Sequence, residues 1–346
     1  MEFWDRYGSR NMKAIWTKKS ERITWRRIWF EVLSYLYTIG ILSIEEIEEA
    51  EKSMFKVDLG LSDEMEEIVK HDLVAELRVY QSQCPSVAWW IHKGLTSADI
   101  KDNADIIHQK RALKIILHLL NLVRDKLDVV IEEQKDRKTL GYTHLQPARE
   151  IYLAHRLLTY RNSLVEHETR LAKLELKAKG IGGPVGNQEF VAHELGIEVE
   201  DIIRLNIYLS IVFGWRIPPV TGQTYPRIQD YTLLSELAGL AATLHKVALD
   251  FRLMQSQGIY QEPFSELQVG SSAMPEKQNP ILSEKICSLS RIVLGNSIVA
   301  WENAANNMLE RTLDDSANRR LILPTSFLAA EEMLISMERV LDGTFS

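Results

Sequence analysis

Cysteine is nearly absent from these 346 residues: Cys84 and Cys287 are the only two, and they stand in no metal-ligand spacing. That scarcity excludes a disulfide framework and a thiolate metal cluster, and it fits a reducing compartment. Basic surplus is absent as well. The formal net charge of -7 argues against a nucleic-acid-binding surface, although a local basic pocket for an anionic metabolite stays open. No apolar run approaches membrane-spanning length, and the opening Met-Glu-Phe-Trp-Asp-Arg lacks the charged-then-apolar shape of a signal peptide. A cytoplasmic location with no membrane partner is therefore expected. Alternating strand patterns, internal repeats and low-complexity segments are missing too. What remains, 45% hydrophobic and 26% charged residues, is the composition of a soluble globular protein with a large core and two or more domains.

Residues 1–100 carry short helical patterns broken near Gly40, Gly60, Pro85 and Gly94. From about residue 105 the helices lengthen. Leu113, Ile116, Leu120, Val123, Leu127 and Val130 follow alternating steps of three and four. Leu233, Leu237, Leu240, Leu244, Val247, Phe251 and Met254 do the same without a proline. Such seams belong to helices packed nearly parallel in an extended bundle. Further long helices are expected from Arg149 to Lys179, from Pro280 to about Met308 and from about Asn318 to Leu341. The fold class is all-α: an N-terminal mixed helical domain, 1–100, followed by a long antiparallel helix bundle, 101–346.

Chemistry concentrates in the connections. Gly270-Ser-Ser-Ala-Met-Pro-Glu-Lys-Gln-Asn-Pro280 is too polar for a core helix. The Ser271 and Ser272 hydroxyls, Lys277, Asn279 and flexible backbone N–H groups suit a small anion on which negative charge develops. The bland alternative is a Ser/Pro turn between helices. In Thr139-Leu-Gly-Tyr-Thr-His-Leu-Gln-Pro-Ala148, His144 sits in a polar turn before a long helix, with Thr143, Gln146 and Pro147 as a hydrogen-bonding setting for an active imidazole. A lone histidine is otherwise usually structural. Lys70, His71 and Asp72 place a cation, an imidazole and a carboxylate side by side, a pattern that an ordinary helix surface also produces. Thr96 and Ser97, and Gln223 within Thr221–Thr224, offer donors that orient carboxylates. Glu310-Arg-Thr-Leu-Asp-Asp-Ser-Ala-Asn-Arg-Arg320 could clamp an anion through Arg311, Ser316 and Arg320. Its alternative is a helix start laced with salt bridges, Asp314 and Asp315 pairing the arginines and Asp315 or Ser316 capping the helix.

The 270–280 segment resembles the signature loop of the fumarase/aspartase superfamily. With Asp5-Arg-Tyr-Gly-Ser-Arg-Asn-Met12, Thr24-Trp-Arg-Arg-Ile-Trp29, Lys70-His-Asp72, the His144 segment, Thr221-Gly-Gln-Thr-Tyr225 and Arg311–Arg320, the chain resembles the adenylosuccinate lyase family, animal-like type, along essentially its whole length. The resemblance implies β-elimination of fumarate from adenylosuccinate, leaving AMP, and the equivalent cleavage of a succinyl-carboxamide ribotide in purine synthesis. It implies Ser271 as base, His144 as acid, and Lys277 and Asn279 as stabilisers of the carbanion, with His71 beside the succinyl group. It also implies that Arg6, Tyr7, Arg311, Ser316 and Arg320 bind the nucleotide phosphate, with Lys70, Asp72, Thr96, Ser97, Thr143, Gln223, Ser272 and Lys285 as further substrate contacts. No metal or organic cofactor is implied. The partner is a small nucleotide, and the implied assembly is a homotetramer with sites shared among three subunits. Glu276, Gln278, Leu282 and Lys285 depart from the family pattern, and the family's usual C-terminal helical domain is expected to be absent. Two other readings stay open: a superfamily lyase on another succinyl or aspartyl compound, and a non-catalytic subunit.

Overall fold

Short polar residues punctuate the first hundred positions, and several start a helix by accepting a hydrogen bond from its free N–H groups. In the computed structural model, which describes residues 3–265 and 267–346, α1 (Phe3–Arg6) is followed by α2 (Arg10–Ile15), capped by Ser9, and α3 (Lys18–Thr38), capped by Thr17. Ser43 and Glu46 form a reciprocal capping box at α4 (Ile44–Met54), and Asp58 caps α5 (Leu59–Val69). At α6 (Asp72–Gln83) the cap is the His71 imidazole.

The long helices follow. α7 (Ser97–Glu133) has 37 residues, a length of about 55 Å at the usual helical rise. β1 (Lys138–Thr143) and β2 (Gln146–Tyr152) then form an antiparallel hairpin ahead of α8 (Leu153–Ala172). Two shorter helices, α9 (Glu189–Leu195) and α10 (Val199–Phe213), precede α11 (Ile228–Ser256). The two-residue β3 (Tyr260–Gln261), α12 (Ile281–Ala305), α13 (Asp315–Val340) and β4 (Thr344–Phe345) complete the order, β3 pairing with β4.

Two apolar cores organise these elements. The larger joins α7, α8, α11, α12 and α13, and every seam position read from the sequence, Leu113 to Val130 and Leu233 to Met254, is buried there. The smaller core holds Trp25, Trp29, Leu33 and Leu36 of α3 against Leu73 and Tyr80 of α6, and it also takes residues from 178 to 215. The first hundred residues therefore do not close their own core; Ile181, Leu205 and Trp215 help to fill it. Among the described residues no helix is long and apolar enough to cross a membrane.

The all-α class holds, with one local correction. The segment around His144 is a hairpin, and the next helix runs from Leu153 to Ala172 instead of from Arg149 to Lys179. The two-residue turn His144–Leu145 has φ of 51° and 58°, the geometry that matches the twist of paired strands. No alternation marks it because the hairpin has no buried face: nearly every residue from 142 to 150 is exposed. The helices expected from Pro280 and Asn318 run from Ile281 to Ala305 and from Asp315 to Val340.

Leu240 is fully buried at the centre of α11. Leu240→Ala should cost about 2–5 kcal/mol in stability, read as a lower midpoint in urea denaturation with an unchanged slope.

Candidate active site

Four helix N-terminal ends meet around one cleft of 340 Å³. Lys18, Glu21 and Arg22 come from the start of α3, and Asp72 from the start of α6. Ala98, Lys101, Asp102 and Asp105 come from the start of α7, and Asp315, Ser316, Arg319 and Arg320 from the start of α13. Arg311, just before α13, completes that wall. Helix N-termini present partial positive charge and unpaired N–H groups, so their convergence favours an anionic ligand.

Asp72 is the hinge of the cleft's charge. Its carboxylate accepts from the Lys101 ammonium at 2.5 and 2.7 Å, from Arg320 Nη2 at 3.0 Å and from the Leu73 N–H at 2.7 Å. Burial pushes its pKa up, but the Lys101 charge and hydrogen bond, with Arg320, outweigh burial and hold it at about 2. Burial also pulls the Lys101 ammonium below its usual value despite Asp72, so the pair fixes geometry more than it adds stability. Next to it, His71 Nδ1 accepts from the Val74 N–H at 3.4 Å, and His71 Nε2 lies 3.2 Å from Ser97 Oγ. Burial and then the Lys101 charge lower its pKa, which keeps the ring neutral at physiological pH. With Nδ1 accepting, the proton sits on Nε2 and faces Ser97.

Beneath the cleft lies a buried ionic lattice. Arg227 donates to Asp102 at 2.9 and 3.1 Å and to Asp315 through Nε. Arg319 donates to Asp230 at 2.7 Å, to Asp105 at 2.9 Å and to the Tyr225 hydroxyl. The Tyr225 N–H donates to Asp102 at 2.9 Å, tying the Thr221–Tyr225 segment to α7. Burial, with Asp102 and Asp230 nearby, pushes Asp105 up to about 6 even though Arg319 opposes the shift. A second buried pair, Lys179 with Asp99, sits where Asp99 also accepts from the Gly182 and Gly183 N–H groups.

The sequence-derived residues fall into three groups. Asp72, Arg311, Ser316 and Arg320 line the cleft, and His71 and Ser97 meet beside it, with Thr96 at the cap of α7. A second group faces elsewhere within this chain. Lys70 ends α5 in a left-handed conformation and pairs with Glu67 at 2.9 Å. Lys285 is held by Glu332 at 2.6 Å, and the Gln223 amide donates to the Pro184 carbonyl at 2.8 Å. Arg6 is exposed at the end of α1, and Tyr7 packs on the main core with its ring centroid 5.0 Å from that of Phe3. The third group is carried on projections. Thr143 and His144 are exposed on the hairpin, and neither lines the cleft. Ser271, Ser272, Lys277 and Asn279 occupy the 270–280 loop, also outside the cleft.

That loop is closed on itself. Asn279 donates to the Gly270 carbonyl at 3.0 Å, and Ser271 Oγ accepts from the N–H groups of Ala273 and Met274 at 3.3 and 3.4 Å. A Cβ at position 270 would lie 1.6 Å from the Lys277 carbonyl oxygen, so glycine alone fits.

Several residues of the site carry no short-range signal. Lys101, Asp102 and Asp105 read as ordinary helix surface, and Arg227 and Asp230 as a helix start. Their partners lie as far away as the 125 positions between Arg227 and Asp102 and the 214 between Arg319 and Asp105. The local salt-bridge reading of 310–320 is also corrected: Asp315 pairs with Arg227 from the start of α11, not with the neighbouring arginines. Asp314 accepts from Thr312 Oγ1 at 2.9 Å. Removing one partner from such a lattice strands buried carboxylates. Arg319→Met should therefore cost about 3–5 kcal/mol, seen as a large fall in melting temperature, whereas Arg320→Met, at an exposed position, should change it little.

Residues 47–295 match the family model described as Lyase. The chain is 35% identical over 343 residues to an adenylosuccinate lyase of Schistosoma mansoni, covering 98% of this chain and 72% of that protein. It is 34% identical to the adenylosuccinate lyase of Saccharomyces cerevisiae, with the same coverage, and 33% identical to that of Archaeoglobus fulgidus, covering 98% and 75%. Among solved structures, a 3-carboxy-cis,cis-muconate lactonizing enzyme from Pseudomonas putida superposes with a TM-score of 0.88 at 18% identity, covering 99% of this chain and 77% of that one. A fumarate lyase from Mesorhizobium gives 0.83 at 18% identity, covering 96% and 75%. At that identity the likeness concerns the fold.

Proposed function

The chain belongs to the adenylosuccinate lyase family, and from that premise we propose that it eliminates fumarate from adenylosuccinate to leave AMP, and fumarate likewise from the succinyl-carboxamide ribotide. The observation that carries this reading is the cleft itself. Arg311, Ser316 and Arg320 converge there with Asp72 from segments some 250 residues apart (Arg320 and Asp72 are separated by 248). It is a highly charged pocket at helix N-termini, lined by both cations and carboxylates next to a neutral imidazole, and suited to a nucleotide phosphate and a succinyl group.

The reaction removes a weakly acidic C–H proton beside a carboxylate while a C–N bond breaks. In this proposal Ser271 takes the proton and the electron pair of the C–H bond forms the fumarate double bond. The C–N electrons pass to the purine nitrogen, which His144 protonates. Lys277, Asn279 and loop N–H groups stabilise the charge that spreads onto the carboxylate. A serine hydroxyl is a weak base in water, so the lysine and the loop dipoles must favour its alkoxide. His71 and Ser97, already bonded to each other, orient the succinyl carboxylates with Thr96. Arg6, Tyr7, Arg311, Ser316 and Arg320 take the phosphate. Lys70, Asp72, Thr143, Gln223, Ser272 and Lys285 supply further contacts. The scheme needs no cofactor, and its natural setting is the cytoplasm.

Oligomeric assembly supplies what one chain leaves apart. His144 and Ser271 ride on projections outside their own cleft, and we take them to complete the clefts of other copies in a homotetramer. The bundle, 101–346, is the assembly core in this scheme, and residues 1–100, whose core the 178–215 segment helps to fill, supply one wall of the cleft. Leu294, Ile298 and Trp301 of α12 are each about half exposed and border a shallow apolar groove with Tyr231 and Ala238 of α11, a surface of the kind that subunit contacts cover.

Purified protein mixed with adenylosuccinate should release fumarate and AMP in equal amounts. Ser271→Ala should lower that rate at least about a thousandfold while leaving the oligomer intact by sedimentation. Near-normal turnover in this variant would remove Ser271 as the base. A folded oligomer that releases fumarate only from other succinyl or aspartyl compounds would favour the second substrate reading, motivated by Glu276, Gln278 and Leu282.

A further inference from the structure

The cations of the cleft differ in how completely the protein already neutralises them. Arg227 meets Asp102 and Asp315, and Arg319 meets Asp105 and Asp230. Arg22 lies among Glu21, Glu66 and Glu76. Lys101 and Arg320, by contrast, share Asp72, and among the described residues no second carboxylate is within ion-pair distance of either. Arg311, on the same wall, has no carboxylate partner among the described residues. Lys101, Arg311 and Arg320 thus have one direct carboxylate partner among them, Asp72, and keep donor protons that a bound anion could take.

Lys101 is built to serve such a ligand. It stands one turn beyond Ser97 on α7, so both side chains share a face of that helix. Its ammonium has three donor protons. Asp72 takes bonds at 2.5 and 2.7 Å, and the Trp25 ring, 5.3 Å from the nitrogen, steadies the cation. A third proton is left for an incoming oxygen, and the side chain keeps 24% of its surface open to solvent. We infer that Lys101 is a further substrate-binding residue, a phosphate ligand acting with Arg320 and Arg311, and that Asp72 is the counter-ion that holds its ammonium in place. This inference rests on the lyase reading of the same cleft. Three donor side chains can each take an oxygen of a phosphate, whereas a carboxylate offers only two, so the phosphate is the better complement.

The test is calorimetric titration of the wild-type protein, Lys101→Met and Lys101→Gln with AMP, adenosine and fumarate in turn. Lys101→Gln keeps a hydrogen bond to Asp72 without the charge, and it guards against a variant that does not fold. Both variants should bind AMP about 10- to 100-fold more weakly, the loss of one charge-assisted hydrogen bond, while adenosine binding stays within about twofold. Equal losses for AMP and adenosine would mean a structural role and overturn the inference. So would unchanged AMP binding, or a loss confined to fumarate. Wild-type protein that releases fumarate from adenylosuccinate while Lys101→Gln binds AMP normally removes the role of Lys101 alone. Wild-type protein that neither releases fumarate nor binds AMP removes the lyase reading together with it.

Discussion

The buried lattice of Asp102, Asp105, Arg227, Asp230, Asp315 and Arg319 is the constraint on which the site depends. It bonds the start of α7 to the starts of α11 and α13. Long helices packed along apolar seams can slide and rotate with little penalty, because one leucine-lined groove resembles the next. Directional charge-assisted bonds cannot slide. Asp102 accepts from both Arg227 and the Tyr225 backbone, and Arg319 reaches Asp105 and Asp230 at once. These contacts fix the register in which Arg320, one residue beyond Arg319, faces Asp72. The lattice adds less to stability than its bond count suggests, since each ion gives up hydration. Its contribution is position.

On that base the cleft separates two tasks. The deep arginines are matched by carboxylates and hold the frame. The outer cations, Lys101, Arg311 and Arg320, have one carboxylate among them and remain available to a ligand. A neutral His71 bonded to Ser97 borders the same space. The proposed binding groups thus stand at helix ends, while the proposed proton-transfer groups, His144 and Ser271, are carried on a hairpin tip and a loop.

The sequence disclosed these parts unevenly, for physical reasons. The seams from Leu113 to Val130 and from Leu233 to Met254 were legible because a helix that buries one stripe writes that stripe every three or four residues. The hairpin was not, because a projection with two wet faces has no burial to enforce alternation. Arg311, Ser316, Arg320 and Asp72 stood out through their motifs, and all four line the cleft. Lys101, Arg227 and Asp230 did not, since a charged residue on a helix looks the same whether it meets solvent or a partner far along the chain. Asp315 shows the ambiguity best: it lies beside arginines in sequence and pairs with a distant one in space.

In the proposed assembly, the hairpin and loop of other copies complete each cleft. Mixing His144→Gln with Ser271→Ala under conditions that let subunits exchange tests it directly. Each variant alone should be nearly inactive toward adenylosuccinate. The exchanged mixture should regain a measurable fraction of wild-type fumarate release, because some sites would draw an intact histidine from one copy and an intact serine from another. Mixed oligomers that form, as shown by sedimentation, yet stay as inactive as either parent would mean that His144 and Ser271 do not come together from different copies.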